Sequence, residues 1–153
     1  MELFGATNTE NNEAPDKASR PFDKKRKGPV MSDGGAVLIL ESLESAIKRN
    51  APNIYCEIAG FRENTEPYHI LRPTEDGIGL VKAMRDALVE AGVTPSQVDS
   101  INAHATSTPL GDKSEATAIK TLFGNYHCWN DLEALRNAKF NTDDDLLKDI
   151  NLI

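Results

Sequence analysis

Apolar residues fall along this chain in two rhythms, short unbroken runs and a helical repeat, and their alternation predicts strands followed by helices. The first firm element is Ala36-Val-Leu-Ile-Leu40, a continuous apolar run after Gly34-Gly35, which reads as a strand buried on both faces. It passes into a predicted helix in which Leu40, Leu43 and Ile47 share one side while Glu41, Glu44 and Lys48 face water. Pro52 ends that helix. Residues 54–61 alternate through Ile54, Cys56 and Ile58 to Phe61, the pattern of a second strand with Cys56 on its apolar side as a small buried hydrophobe.

The clearest helix is predicted between Thr74 and Ala91, where Leu80, Val81, Met84, Leu88 and Ala91 recur at helical spacing and Gly92 stands where a left-handed C-cap belongs. Thr94-Pro-Ser-Gln97 reads as a capping box with proline at the first helical position, a single turn leading into a strand around Ile101. Asp112 and Glu115 read as a second box, D-x-x-E, opening a helix whose buried side is Ala116, Ile119, Leu122 and Phe123. That box accounts for both acids without any chemistry. Alternating strands and helices predict an α/β fold, a sheet covered by helices, with ligand groups at strand ends and helix starts. Residues 1–22, rich in Asn, Glu, Thr and Pro, read as a loop or the remnant of a preceding element. After Gly124 the only tryptophan and the acidic stretch D-D-D-L-L-K-D-I-N-L-I mark 125–153 as a separate tail, which leaves 23–124 as the domain.

Composition narrows the classes of function. A chain of 153 residues with 39% hydrophobic, 27% charged and 6% aromatic residues describes a soluble globular protein. No stretch approaches the roughly 20 apolar residues of a membrane span. A net charge of -7 and a pI near 4.9 argue against nucleic-acid binding, which needs basic faces. The single basic run, Lys24-Lys-Arg-Lys27 after Asp23, reads as a solvated loop. Cys56 and Cys128 form no C-x-x-C pair, and with His69, His104 and His127 they are too scattered for a metal set, so neither disulfide, metal nor cofactor is expected. The first ten residues have the pattern of neither a secretory nor a transit leader.

Four blocks then give the chain a resemblance. They are S-R-P-F-D at 19–23, V-M-S-D-G-G-A-V-L-I-L-E at 30–41, Tyr68-His69 before Pro73, and N-A-H-A-T-S-T-P-L-G-D-K-S-E at 102–115. With this spacing, residues 19–123 resemble the C-terminal half of the beta-ketoacyl-acyl-carrier-protein synthases, the condensing enzymes of the thiolase-like superfamily. The resemblance implies an incomplete thiolase-like half, a mixed sheet covered by helices, carrying an unrelated acidic tail.

In that family a cysteine holds the acyl chain as a thioester, and two histidines assist decarboxylation of malonyl carrier protein. The resemblance places His104 as the first of those histidines, Thr106 and Thr108 as hydroxyl contacts to the pantetheine arm, and Asp112 and Glu115 as supporting acids. His69 reads as a packing or hydrogen-bonding residue. The resemblance also implies acyl carrier protein as partner and a homodimer whose contacts come mostly from the half that precedes these residues. No residue here matches the cysteine or the second histidine, so the chain is expected to be inactive by itself. Non-catalytic binding of carrier protein or of a full-length synthase, and a truncated or misread gene product, are the alternatives. Lys27, Pro29, Ser32-Asp33 and Leu71-Arg72 depart from the family's usual residues, the last pair where small hydroxyl residues usually touch pantetheine. Ala105, following His104, resembles organellar-type synthases and points to the mitochondrion, with the cytoplasm as the alternative.

Overall fold

The structure, a computed structural model, describes residues 7–124. The tail read at 125–153, with His127 and Cys128, lies outside the described residues. Three α-helices organise the rest: α1 (Leu43–Lys48), α2 (Ile78–Ala91) and α3 (Pro109–Phe123), with single 3-10 turns at Pro15–Lys17 and Pro95–Gln97.

The core forms where α3 lies against α2 and the segments on either side of it. Phe22, Ala116, Ile119 and Phe123 are its buried centre, and Met84, Leu88, Val98, Ile101, Ala103, Ala105 and Leu122 pack around them. The helical repeat read from the sequence therefore identified the inner face of α3. Residues 7–22 contain no long element, yet Ala18 and Phe22 are buried, so this stretch is part of the core rather than an appendage. Helices α2 and α3 meet closely at Gly77, which adopts φ +62° as the N-cap of α2. A Cβ there would stand 2.5 Å from the Ser114 carbonyl oxygen and 2.9 Å from the Ala118 methyl, so glycine is required by both conformation and space.

Local signals hold in part. Gly92 is left-handed at φ 66°, and its N–H returns to the carbonyls of Leu88 and Val89, as the C-cap reading anticipates. Thr94 and Gln97 form the predicted capping box around the 95–97 turn. Helix α1, however, starts only after Ser42, whose side chain accepts the Ser45 N–H, and it buries Ala46 while Leu43 and Ile47 stay mostly exposed.

The strand readings are corrected. Among the described residues no strand ladder is present over 36–40, 54–61 or around Ile101. Val37, Leu38 and Ile39 are 90%, 83% and 86% exposed, and Tyr55 is 92% exposed. A strand is defined by its neighbour: the runs have the composition of buried strands, but the described residues pair no backbone with them, and an apolar run without a partner shows its side chains to solvent. Cys56, placed on an apolar strand face by the sequence, is exposed for the same reason. Among the described residues no helix is long and apolar enough to cross a membrane, and no three His, Cys, Asp or Glu side chains come together to hold a metal ion.

Candidate functional site

Residues 102–115 turn from an irregular stretch into α3 through a loop of unusual backbone. Ala105 has φ 48° and Ser107 φ 64°, left-handed conformations in residues that carry a Cβ. Each costs about 1–3 kcal/mol and persists only where its surroundings hold it. Those surroundings are hydrogen bonds from four directions.

Glu115 is the first. One carboxylate oxygen accepts the His104 N–H at 2.7 Å and the other accepts the Ala105 N–H at 2.9 Å. The acid sits one and a half turns into α3 and reaches back over the loop, fixing the backbone on which the exposed His104 imidazole is carried.

Thr108 is the second. It is the N-cap of α3, its hydroxyl accepting the Gly111 N–H at 3.0 Å, with Pro109 at the first helical position. The helix therefore begins at Thr108-Pro109 and not at Asp112, and the D-x-x-E box read from the sequence does not form. Asp112 and Glu115 are already helical, so their carboxylates are directed to the loop instead of capping α3. Gly111 has no room for a side chain, because a Cβ would run into the Thr108 hydroxyl. The Thr106 and Thr108 hydroxyls lie 3.0 Å apart. One proton serves that contact, so the pair retains a second hydroxyl proton to donate elsewhere.

Ser107, fully buried, is held on both sides: its hydroxyl accepts the Arg20 N–H at 3.1 Å and its carbonyl accepts the Gly28 N–H at 2.8 Å. The fourth group is Asp112, also fully buried, whose Oδ2 accepts the Phe22 N–H at 2.7 Å and lies 3.5 Å from the Arg26 Nε. Phe22 is itself left-handed at φ 61°. Burial pushes the Asp112 carboxyl above the usual carboxylate range, against the Phe22 N–H, the Arg26 guanidinium and the Ser107 N–H, which favour its charged form.

Arg26 is the residue the sequence reading missed. It belongs to a basic run read as a solvated loop, yet it is buried, donating to the carbonyls of Asp23 at 3.0 Å, Thr108 at 3.3 Å and Pro109 at 2.8 Å. Its neighbours Lys24, Lys25 and Lys27 are not all alike either, since Lys27 pairs with Glu10 at the surface. The available signal was S-R-P-F-D three residues upstream, a turn that brings Arg26 round to α3.

The structure thus brings His104, Thr106, Thr108, Asp112 and Glu115 together on one loop and helix start. His69 is exposed, its Nδ1 accepting the Leu71 N–H at 3.0 Å, and it lines an open cleft of about 310 Å³ with Leu71, Arg72, Pro73, Leu80 and Ala83.

Known proteins share this arrangement of chain. Residues 55–142 match the beta-ketoacyl synthase, C-terminal domain family. A mitochondrial 3-oxoacyl-[acyl-carrier-protein] synthase of Arabidopsis thaliana is 48% identical over 121 residues, covering 79% of this chain and 26% of its own length. The 3-oxoacyl-[acyl-carrier-protein] synthase 2 of Coxiella burnetii is 49% identical over 121 residues, covering 79% and 29%. This chain therefore spans between about a quarter and three tenths of the length of such relatives. A crystal structure of a beta-ketoacyl synthase from Burkholderia phymatum superposes with TM-score 0.76 at 40% identity, covering 81% of this chain and 29% of that one. A type II PKS ketosynthase in complex with its acyl-carrier protein superposes with TM-score 0.75 at 38% identity, covering 80% and 30%. Over about four fifths of its length the chain follows the path of the ketosynthase fold, and it belongs to the beta-ketoacyl synthase family.

Proposed function

We propose that this chain supplies part of the active site of a 3-oxoacyl-[acyl-carrier-protein] synthase of fatty acid biosynthesis, with His104 as the residue that meets the developing enolate. The observation that carries the reading is the fixed presentation of His104: an exposed imidazole on a backbone pinned by both oxygens of Glu115.

The chemistry asks for that arrangement. In malonyl carrier protein the bond between the carboxylate and the methylene carbon breaks, carbon dioxide leaves, and the electron pair passes into the thioester as an enolate. A neutral imidazole N–H donates a hydrogen bond to the enolate oxygen, and a donor positioned before charge develops spends no energy on reorganisation. The carbanion then attacks the acyl thioester carbon and expels the thiolate that carried the acyl group. Neither cysteine of this sequence stands where the family has that thiolate, and Cys56 is an exposed residue far from the start of any helix in the sequence. The acyl-bearing cysteine and the second histidine are therefore assigned to the part of the relatives that these residues do not span. Thr106 and Thr108, with one hydroxyl proton to spare, are suited to donate to the amide carbonyls of a pantetheine arm. Acyl carrier protein is the partner that brings it, a reading supported by the type II PKS ketosynthase whose structure includes its acyl-carrier protein. The mitochondrial Arabidopsis relative supports the mitochondrion as compartment.

The test is a chimera in which residues 20–123 replace the matching segment of the Coxiella synthase. Condensation of malonyl and acyl carrier proteins should be retained, and His104→Ala should lower it about 10²–10³-fold, the size of a lost enolate donor. A His104→Ala chimera as fast as its parent overturns the assignment.

A further inference from the structure

The position of Arg26 is at odds with the field around it. Helix α3 is 15 residues long, and its N-terminus carries the positive end of the helix dipole, which disfavours a cation. Arg26 nevertheless places its guanidinium against the first two carbonyls of that helix region, those of Thr108 and Pro109. The Thr108 carbonyl already accepts the Asp112 N–H of the helix, at 3.1 Å, so helix formation by itself does not call for the arginine. The buried Asp112 carboxylate, 3.5 Å from Nε, compensates the charge.

A charge placed against the dipole and shielded by a buried acid needs a reason, and the loop provides it. The third partner of Arg26 is the Asp23 carbonyl, which lies in the turn whose Phe22 N–H donates to Asp112 and whose end, at Gly28, bonds the Ser107 carbonyl. One planar fork thus ties the 20–28 turn to the start of α3, and the turn so fixed holds the left-handed Ser107 through the N–H groups of Arg20 and Gly28. We propose that Arg26 is a positioning residue for His104: through Thr108, Asp112 and Ser107 it holds the left-handed backbone of residues 105–107 and so the place from which the imidazole is presented. The identity of the site rests on the functional reading above, whereas the positioning itself is measured on the backbone, so a failure of one is distinguishable from a failure of the other.

Lysine keeps the charge but not the fork, having one nitrogen where Arg26 uses three. In the 153-residue chain, Arg26→Lys should retain the helical circular dichroism of α2 and α3 while the Gly28, His104 and Ala105 amides exchange with deuterium about tenfold faster. The strong intraresidue HN–Hα contact that marks φ > 0 at Ala105 and Ser107 should weaken in the NMR spectrum. In Arg26→Ala, millimolar guanidinium, but not ammonium, should restore both readouts. Arg26→Lys with unchanged amide exchange and unchanged Ala105 and Ser107 signals overturns the proposal. Should both variants lose their helices, the unmodified chain decides: the Arg26 Hε must exchange far more slowly than those of exposed Arg49, Arg62 and Arg85, and an Arg26 Hε that exchanges as they do overturns it equally.

Discussion

Helix α3 with its flanking turn, and the stretch between residues 30 and 61, treat the same kinds of atoms in opposite ways. Around α3 the chain buries polar side chains and partners most of them: Asp23, Arg26, Ser107, Asp112 and Ser114 are all inside, and the first four bond across sequence or within their turn, while the Ser114 hydroxyl has no hydrogen-bond partner among the described residues. Between 30 and 61 it leaves apolar side chains in solvent, from Val37 to Leu40 and at Tyr55, Ile58 and Phe61. The difference lies in where the partners come from. The loop at 102–108 draws its partners from residues 20–28 and 112–115 of the same chain. The apolar runs need a neighbouring strand on each side, and the described residues supply none. A site's backbone geometry is therefore complete in these residues, while the sheet that the 36–40 and 54–61 runs are composed for is not.

That contrast fixes what substitutions should do. The largest effect is expected at Phe22, 1% exposed in the centre of the core: Phe22→Ala should lower the unfolding free energy by about 3–5 kcal/mol, whereas Leu38→Ala, at an 83% exposed side chain, should change it by less than about 0.5 kcal/mol. Urea titrations followed by circular dichroism make the comparison, and equal losses at the two positions would break it. A smaller loss, about 1 kcal/mol, is expected for Thr108→Ala, which removes the cap on α3 and leaves the Gly111 N–H without its acceptor.

The smallest prediction concerns pH and separates a buried acid from a partly exposed one. Asp112 is pushed upward by burial, so the folded chain holds its proton more tightly than the unfolded chain does. Its contribution to stability is present below the unfolded carboxylate range and is lost as pH rises through the raised value. Partly exposed Asp86, drawn downward by hydrogen bonds from Lys82 and Arg85, behaves oppositely: its contribution is present above the unfolded range and lost as pH falls through the lowered value. Carboxyl carbon NMR shifts should show Asp112 titrating at higher pH than Asp86, and the reverse order would contradict the burial argument.

How much of this was legible in the sequence depends on whether the signal was local. The inner face of α3, the left-handed Gly92 and the 94–97 capping box depend on residues within a few positions, and each stands in the structure. The start of α3 was misplaced because D-x-x-E and T-P compete as start signals within one helical turn, and Thr108-Pro109 prevails through the Gly111 bond. Strands at 36–40 and 54–61 have the right residues but depend on neighbours that no local pattern specifies. The burial of Arg26 was hidden because its partners on α3 lie far along the chain, at separations of 82 and 83 residues. No residue type announces the left-handed Ala105 and Ser107, since neither alanine nor serine favours that region; long-range bonds impose it. His104 was legible only by resemblance, and the structure adds why its backbone is held.

The central claim is that these residues build and hold the His104 loop by themselves, and native-state hydrogen exchange on the 153-residue chain tests it most directly. The Phe22, Gly28, His104, Ala105 and Gly111 amides, each donating to a named acceptor, should exchange at least about 100-fold more slowly than unstructured amides, while amides across 36–40 and 54–59 exchange near the unstructured rate. Protection that is equal in the two regions, or absent from the His104 loop, would contradict the account.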